Sequence, residues 1–86
     1  MYRPLNTEPS MFRIIVNNIS FAAREPDLAQ LFGGFGKVNS IFMVNGRETR
    51  FALVRMASAE EALAAVRGTD GHHLHRQPLR TLACFA

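Results

Sequence analysis

Apolar and polar positions follow two different periods along this chain. Residues 12–16 are dense in β-branched and aromatic side chains, a composition that predicts a strand. Residues 26–35 place apolar side chains at three- and four-residue intervals, which predicts an amphipathic helix. Residues 38–44 again read as a strand, and the Asn45-Gly46 dipeptide after them is a strong signal for a hairpin turn.

A two-residue turn at Asn45 and Gly46 would fix the register of the predicted hairpin. Val44 would then face Arg47, and directly opposed residues would share one face of the sheet. That face is predicted to carry Ser40, Phe42, Val44, Arg47, Thr49, Phe51, Leu53 and Arg55. The opposite face is uniformly apolar and is predicted to meet the core through Ile41, Met43, Ala52, Val54 and Met56.

The second half of the chain supplies another helix and a last strand. Residues 58–61 read Ser-Ala-Glu-Glu, a capping-box sequence that opens a helix. A polar, His-rich loop at residues 72–77 leads to a strand near residues 79–85. The β-α-β-β-α-β order predicts an α+β domain over residues 11–86, with two helices on one face of a four-stranded antiparallel sheet. Residues 1–10 carry two prolines and several polar side chains, which predicts a flexible leader.

Charge and cysteine usage narrow the choice of partners. The net charge is +3 with a pI near 10.0, and every basic residue except Lys37 is arginine, whose planar donor fork suits phosphates and bases. The single Cys84 excludes an intrachain disulfide and a Cys-paired zinc site. No apolar run is long enough for a membrane span, so we expect an intracellular protein without a membrane partner, in a compartment that the sequence leaves open.

Several short motifs together resemble the RNA recognition motif family over nearly the whole chain. Residues 14–19 fit the family's hexamer on its first strand, and residues 49–56 fit the octamer on its third strand. The helix pattern of the family appears with its usual spacing as Asp27-Leu28, Leu31-Phe32, Phe35-Gly36 and Val38. The resemblance implies a ferredoxin-like sandwich with strand order 4-1-3-2, whose bare sheet face binds single-stranded RNA.

The chain departs from this family at the side chains that usually stack bases. Ile15 and Leu53 occupy two of the three aromatic positions, and Phe51 alone keeps its ring. With the family's strand order, the bare face has an apolar centre with arginines toward its rim. The RNA-binding residues expected from this arrangement are Phe51, Arg55, Arg13, Ile15, Asn17, Leu53, Phe42, Arg47, Arg80 and Leu82.

Two functions and one structural alternative remain open for this face. In the first function, arginines hold RNA phosphates and Phe51 stacks a base. In the second, the apolar band is a protein-binding surface within a ribonucleoprotein assembly, since contiguous exposed apolar patches mark interfaces. Alternatively, the C-terminal end or the leader covers the sheet, with Tyr2 and Phe12 as candidate covering residues.

Catalytic and metal-binding patterns are weak in this sequence. His72, His73 and His75 share one loop, but no carboxylate or thiol stands beside them in the sequence to complete a metal site. No serine has a histidine and an acid at a known nucleophile spacing. Acylphosphatase-like enzymes share this topology, yet the loop after the first strand offers only Arg24 for their anion cradle. We therefore expect a binding module with no metal, cofactor or small-molecule substrate.

Overall fold

The computed structural model describes residues 12–84, and these residues form one larger sheet, two helices and a short hairpin. The elements in chain order are β1 (Arg13–Ile19), α1 (Glu25–Gly33), β2 (Val38–Asn45), β3 (Arg50–Met56), α2 (Ala59–Thr69), β4 (His73–Leu74), β5 (Gln77–Pro78) and β6 (Arg80–Cys84). The leader predicted at residues 1–10 lies outside the described residues.

The larger sheet has the predicted topology. Its four strands lie in the order β2-β3-β1-β6, and every neighbouring pair is antiparallel. Because β6 is the fourth strand of the predicted sandwich, this is the predicted 4-1-3-2 order read from the other edge. One side of the sheet packs under the helices around an apolar cluster, formed by Ile14, Val16, Ile19, Ala23, Leu28, Phe32, Ala52, Val54, Met56, Ala62, Ala65 and Leu79. The α+β sandwich predicted from the sequence is therefore confirmed.

The predicted two-residue turn is wrong. Strand β2 continues to Asn45, which pairs with Arg50, and residues 46–49 form a four-residue loop closed by the Gly46 amide on the Thr49 carbonyl at 3.0 Å. Val44 consequently faces Phe51 instead of Arg47. Each partner is displaced by an even number of residues, so the side chains that remain in β2 and β3 keep their predicted face, whereas Arg47 and Thr49 leave the sheet for the loop.

The helix caps explain where both helices begin. Ser58 Oγ accepts the Glu61 amide at 3.2 Å, as the capping box predicts. The Glu61 carboxylate does not complete the box, because its Oε1 accepts the Lys37 amide at 3.2 Å and ties α2 to the start of β2. At the other helix, Asp27 Oδ2 accepts the Arg24 amide at 2.8 Å.

The region predicted as a His-rich loop contains the short β4–β5 hairpin. Its turn residues His75 and Arg76 have positive φ angles of 53° and 68°. Asn18, also at positive φ, donates through Nδ2 to the Pro78 carbonyl at 2.7 Å and accepts from Gln77 Nε2 at its own carbonyl at 3.1 Å. These bonds fix the hairpin to the end of β1.

Candidate nucleic-acid interface

No element of residues 12–84 covers the sheet face opposite the helices, which we call the uncovered face. An apolar row crosses this face from one edge to the other. Direct pairing places Leu82 beside Ile15, Ile15 beside Leu53, and Leu53 beside Phe42. With strands about 4.8 Å apart, the row spans roughly 15 Å. Its two ends are the most open, since Phe42 is 63% exposed and Leu82 is 61% exposed. We call these four residues the apolar row.

A polar row lies beside the apolar row on the same face. Arg13 pairs directly with Arg55, while Ser40 and Cys84 occupy the outer strands. Arg55 donates through Nη1 to Ser40 Oγ at 3.3 Å, and Arg13 points its Nη2 at Cys84 Sγ, 3.9 Å away. The two guanidinium groups therefore diverge toward opposite edges, as expected for like charges on paired residues. We call these four residues the arginine row.

Both arginines of the arginine row carry a donor without a partner. The Nε atoms of Arg13 and Arg55 are buried and make no hydrogen bond within residues 12–84. An unsatisfied buried donor costs about 1–3 kcal/mol. Among residues 12–84, the strand residues of this face include no acidic side chain that could satisfy them; these strand residues are Arg13, Ile15, Asn17, Ser40, Phe42, Val44, Phe51, Leu53, Arg55, Arg80, Leu82 and Cys84.

The other side of the apolar row carries Phe51 and a small depression. Phe51 pairs with Val44 and is 42% exposed, so its ring is accessible on the uncovered face. Asn17 pairs with Arg80, and Arg80 Nε lies 3.5 Å from Asp70 Oδ1. These residues surround a depression of about 400 Å³, which is lined by Asn17, Asp70, Arg80, Thr81 and Leu82.

The structure brings nine of the ten expected RNA-binding residues onto one face; Arg47 is the exception. Arg47 lies in the loop after β2 because the strand ladder ends at Asn45. Phe12 does not cover the face, since its side chain packs against the core cluster. Tyr2 lies outside the described residues, so that part of the leader alternative stays a prediction.

Sequence reasoning missed a second arginine site at the end of the sheet. Arg50 donates through Nε to Asn45 Oδ1 at 2.9 Å and through Nη1 to the Ala23 carbonyl, and its guanidinium carbon lies 5.8 Å from the ring centre of Phe21. The family octamer has glycine where this chain has Arg50. This arginine in place of glycine was the feature of the sequence that could have indicated the Arg50 site.

One of the three histidines, His75, contacts a carboxylate that is distant from it in the sequence. His75 Nε2 lies 3.1 Å from Asp27 Oδ2, which joins the β4–β5 hairpin to α1. The hydrogen bond from the Arg24 amide, followed by that from His75, lowers the pKa of Asp27 below the ordinary value of 3.8. Within residues 12–84, no group of three or more potential metal ligands comes together, and no helix is long and apolar enough to cross a membrane.

Known proteins share both the sequence pattern and this fold. The 31 kDa chloroplast ribonucleoprotein of Nicotiana sylvestris is 38% identical over 82 residues, which cover 91% of this chain and 26% of that protein. The serine/arginine-rich splicing factor x16 of Drosophila melanogaster is 34% identical over 67 residues, which cover 78% of this chain and 26% of that protein. The chain thus spans about a quarter of the length of these two relatives.

A solved structure and a family-wide comparison agree with these relatives. The crystal structure of the first two RNA recognition motif domains of yeast poly(U) binding protein, Pub1, matches with a TM-score of 0.80. The match covers 86% of this chain and 46% of that chain at 20% identity, which shows a common fold. The sequence model of the RNA recognition motif matches residues 14–80, and the chain belongs to the RNA recognition motif family.

Proposed function

We propose that the uncovered sheet face binds single-stranded RNA, with phosphates on the arginine row and a base stacked on Phe51. The observation that carries this proposal is the pairing of Arg13 with Arg55, whose buried Nε donors have no partner in residues 12–84. A phosphate that draws either guanidinium off the sheet accepts from these donors and screens the two like charges. Relatives named as a ribonucleoprotein and a splicing factor support an RNA ligand.

The base-binding part of the proposal rests on Phe51 and the apolar row. Phe51 presents a flat ring on which any base can stack, a contact that contributes about 1–3 kcal/mol per base. Ile15 and Leu53 lie beside it and give apolar contact without a π surface. We therefore infer a stacking position at Phe51, and Phe42, which is 63% exposed on the same face, offers a second ring at the edge of the sheet. Asn17 and Arg80 supply hydrogen-bond donors for the exposed edges of neighbouring nucleotides.

The function is tested by titrating labelled, random-sequence single-stranded RNA with the purified chain at low salt. Phe51→Ala and Arg55→Gln should each weaken binding, and the affinity of the unchanged chain should fall as salt rises. Leu63→Ala is a matched control, because Leu63 is a similarly exposed side chain on α2, away from the uncovered face. No measurable binding of the unchanged chain at low salt would refute the proposal.

A second candidate function is suggested by the exposure of the apolar row. Phe42 and Leu82 leave much of their apolar surface in solvent at both ends of the row, as in surfaces that bind other proteins. Under this alternative, the face binds a protein within a ribonucleoprotein assembly. Leu53→Glu would then abolish association with that protein while the fold is kept. Its effect on RNA affinity, measured in the same preparation, separates the two functions.

A further inference from the structure

β2 forms one edge of the sheet, and its outer side has no neighbouring strand within residues 12–84. The backbone donors and acceptors of an edge strand can pair with a further strand, and charged side chains, prolines or bulges along the edge commonly prevent this. Residues 38–44 contain neither a charged residue nor a proline, and the register of β2 against β3 shifts at its start, between Val38 and Ser40. From Ser40 onward, β2 is therefore a regular edge without charges.

The alternation of hydrogen bonds along β3 determines which backbone groups of β2 point to this edge. In antiparallel ladders, hydrogen-bonded and non-hydrogen-bonded pairs alternate, so a central strand bonds its two neighbours with alternate residues. The Met56 amide donates to the Phe12 carbonyl at 3.0 Å, on the β1 side of β3. Ala52 and Val54 therefore bond β1 as Met56 does, and Leu53 bonds β2.

The backbone of Phe42 is bonded to β3, and the backbones of its two neighbours are not. Phe42 is the partner of Leu53, so its amide and carbonyl point to β3. Ile41 and Met43 alternate with it and direct their amides and carbonyls to the outer side, where no strand of residues 12–84 lies. The edge thus presents a donor and an acceptor at each of these two residues, in the spacing that an antiparallel strand requires.

The side chain of Phe42 also lies mostly in solvent. It is 63% exposed, the largest exposed fraction among the bulky apolar side chains of residues 12–84. Directly opposed side chains of neighbouring strands lie about 4.5–5.5 Å apart. A further strand at this edge would therefore bury the ring and, at the same time, satisfy the backbone groups of Ile41 and Met43.

The sequence of β2 is complementary to itself. When two copies run antiparallel with Phe42 opposite Phe42, Ile41 stands opposite Met43. In the same register, Ser40 stands opposite Val44. The two rings then form a non-hydrogen-bonded pair, in which cross-strand side chains lie closest, and aromatic pairs of this kind stabilise a sheet.

Charges do not oppose this register. Lys37 is the first charged residue before β2, and Arg47 and Glu48 are the first two after it. Across the two copies, Lys37 approaches the loop 46–49, which carries one charge of each sign. Between these ends, the paired strands bring no like charges together. The uncharged strand is therefore a matching partner for itself.

We propose that β2 binds β2 of a second copy of this chain, antiparallel and with Phe42 on the two-fold axis. Opposed residues share a face in this register, so the two sheets join into one and both uncovered faces lie on the same side. The interface consists of the backbone bonds of Ile41 and Met43 and the pair of Phe42 rings. The dimer needs no RNA, and the proposed RNA-binding function does not depend on it.

Sedimentation equilibrium without RNA tests the pairing over a range of protein concentrations. The mass of the unchanged chain should rise from one copy to two as the concentration increases. Phe42→Lys and Phe42→Glu should each lower the association constant by roughly five- to 30-fold, because the ring pair is lost and identical charges meet on the two-fold axis. An equimolar mixture of the two variants should associate more tightly than either variant alone, because a lysine then faces a glutamate.

Leu82→Lys is the matched control for this charge change. Leu82 is 61% exposed on the same face, but it lies on β6, at the opposite edge of the sheet. The substitution should leave the association constant unchanged.

Hydrogen exchange of the unchanged chain tests the backbone bonds without any substitution. The amides of Ile41 and Met43 should exchange more slowly at high protein concentration than at low concentration. The Phe42 amide, which is bonded to β3, should be protected equally at both.

The inference is refuted if the unchanged chain keeps the mass of one copy at millimolar concentration, if the Phe42 variants associate as the unchanged chain does, or if mixing them brings no gain. An equal loss for Leu82→Lys also refutes it, because the copies would then meet through the uncovered face and not through the edge. A chain that dimerises but binds no RNA refutes the proposed function alone.

Discussion

Arg13 and Arg55 are direct partners across β1 and β3, and each buries an Nε donor that finds no acceptor within residues 12–84. Two like charges side by side destabilise a sheet, and an unsatisfied donor adds to that penalty. An arrangement that is unfavourable in the free protein is explained if an anion completes it. If the proposed phosphate contact is made, a bound anion should raise the stability of the arginine row.

Substitution of Arg55 by Gln should lower the RNA affinity without lowering the stability of the fold. The change removes one of two like charges, so we expect the free energy of unfolding to stay constant or rise by up to about 1 kcal/mol. RNA affinity should fall, and the slope of log K against log salt should decrease by about 0.7–1. Chemical denaturation and RNA titrations at several salt concentrations measure the two effects.

Arg67→Gln is the matched control for this charge change. Arg67 is exposed in the last turn of α2, away from the uncovered face. It should leave both the RNA affinity and its salt slope nearly unchanged. Equal losses of RNA affinity for the Arg55 and Arg67 variants would show that the affinity depends on net charge alone. That result would contradict a phosphate site on the arginine row.

Leu53→Phe should strengthen RNA binding. Leu53 lies at the centre of the apolar row, between Ile15 and Phe42, at a position where the family usually has a ring. A new aromatic side chain there adds a stacking surface worth about 1–3 kcal/mol, or roughly five- to 150-fold in affinity. The same substitution at Leu63 on α2 should give no gain. Unchanged RNA affinity for Leu53→Phe would instead favour the protein-binding function.

The fold was predictable because side chains alternate between the two faces of a strand, and an even error in register leaves each side chain on its predicted face. The sequence placed a tight turn at Asn45-Gly46, whereas the side chain of Asn45 accepts a hydrogen bond from Arg50 and the ladder ends there. The resulting shift in pairing is even, so Phe51 stays on the uncovered face. A shift by one residue would have buried Phe51 and exposed Ala52.

The parts of the site that the sequence did not reveal depend on contacts distant along the chain. Arg50 meets the Ala23 carbonyl and the Phe21 ring, and His75 meets Asp27, only after the strands and the short hairpin have assembled. Periodicity reports which face a residue occupies, but it does not report which loop lies at the end of a strand. The unpaired Nε donors of the arginine row are likewise visible only once the neighbouring side chains are placed.

Alanine at Gly33 and at Gly68 should have opposite effects on stability. Both residues are helical, and replacing helical glycine by alanine normally stabilises by about 0.5–1 kcal/mol. A Cβ at Gly33 meets nothing within 4 Å, so Gly33→Ala should gain up to this amount. A Cβ at Gly68 would lie 2.2 Å from the Phe35 ring, which must then move within its packed surroundings.

We expect Gly68→Ala to lose about 1–3 kcal/mol of stability, because overpacking against the ring exceeds the gain in helix propensity. Thermal or chemical denaturation of the two variants beside the unchanged chain measures both signs. Gly68→Ala with Phe35→Leu should recover much of the loss, since the smaller side chain makes room for the methyl group. A stabilised Gly68→Ala protein would mean that Phe35 is not held against α2 in solution.

Asp27 should make the stability of the chain depend on pH in the acidic range. Hydrogen bonds from the Arg24 amide and from His75 lower the pKa of its carboxyl group in the folded state. A depressed folded-state pKa means that the carboxylate contributes its full stabilisation above the unfolded value of 3.8 and loses it as pH falls through the folded value. Asp27→Asn keeps an oxygen acceptor but removes the charge. The difference in free energy of unfolding between the unchanged chain and this variant should therefore be largest above pH 3.8 and shrink as pH falls through the lowered folded-state pKa of Asp27.

His75→Ala tests which of the two hydrogen bonds dominates. The hydrogen bond from the Arg24 amide is the largest single cause of the lowered Asp27 pKa and remains in this variant, so part of the pH-dependent stability should remain as well. Denaturation of the unchanged chain and both variants at several pH values between 2 and 6 gives the comparison directly. If His75→Ala removes the whole pH-dependent contribution, the contact between the β4–β5 hairpin and α1, and not the helix cap, holds the Asp27 carboxylate in its charged form.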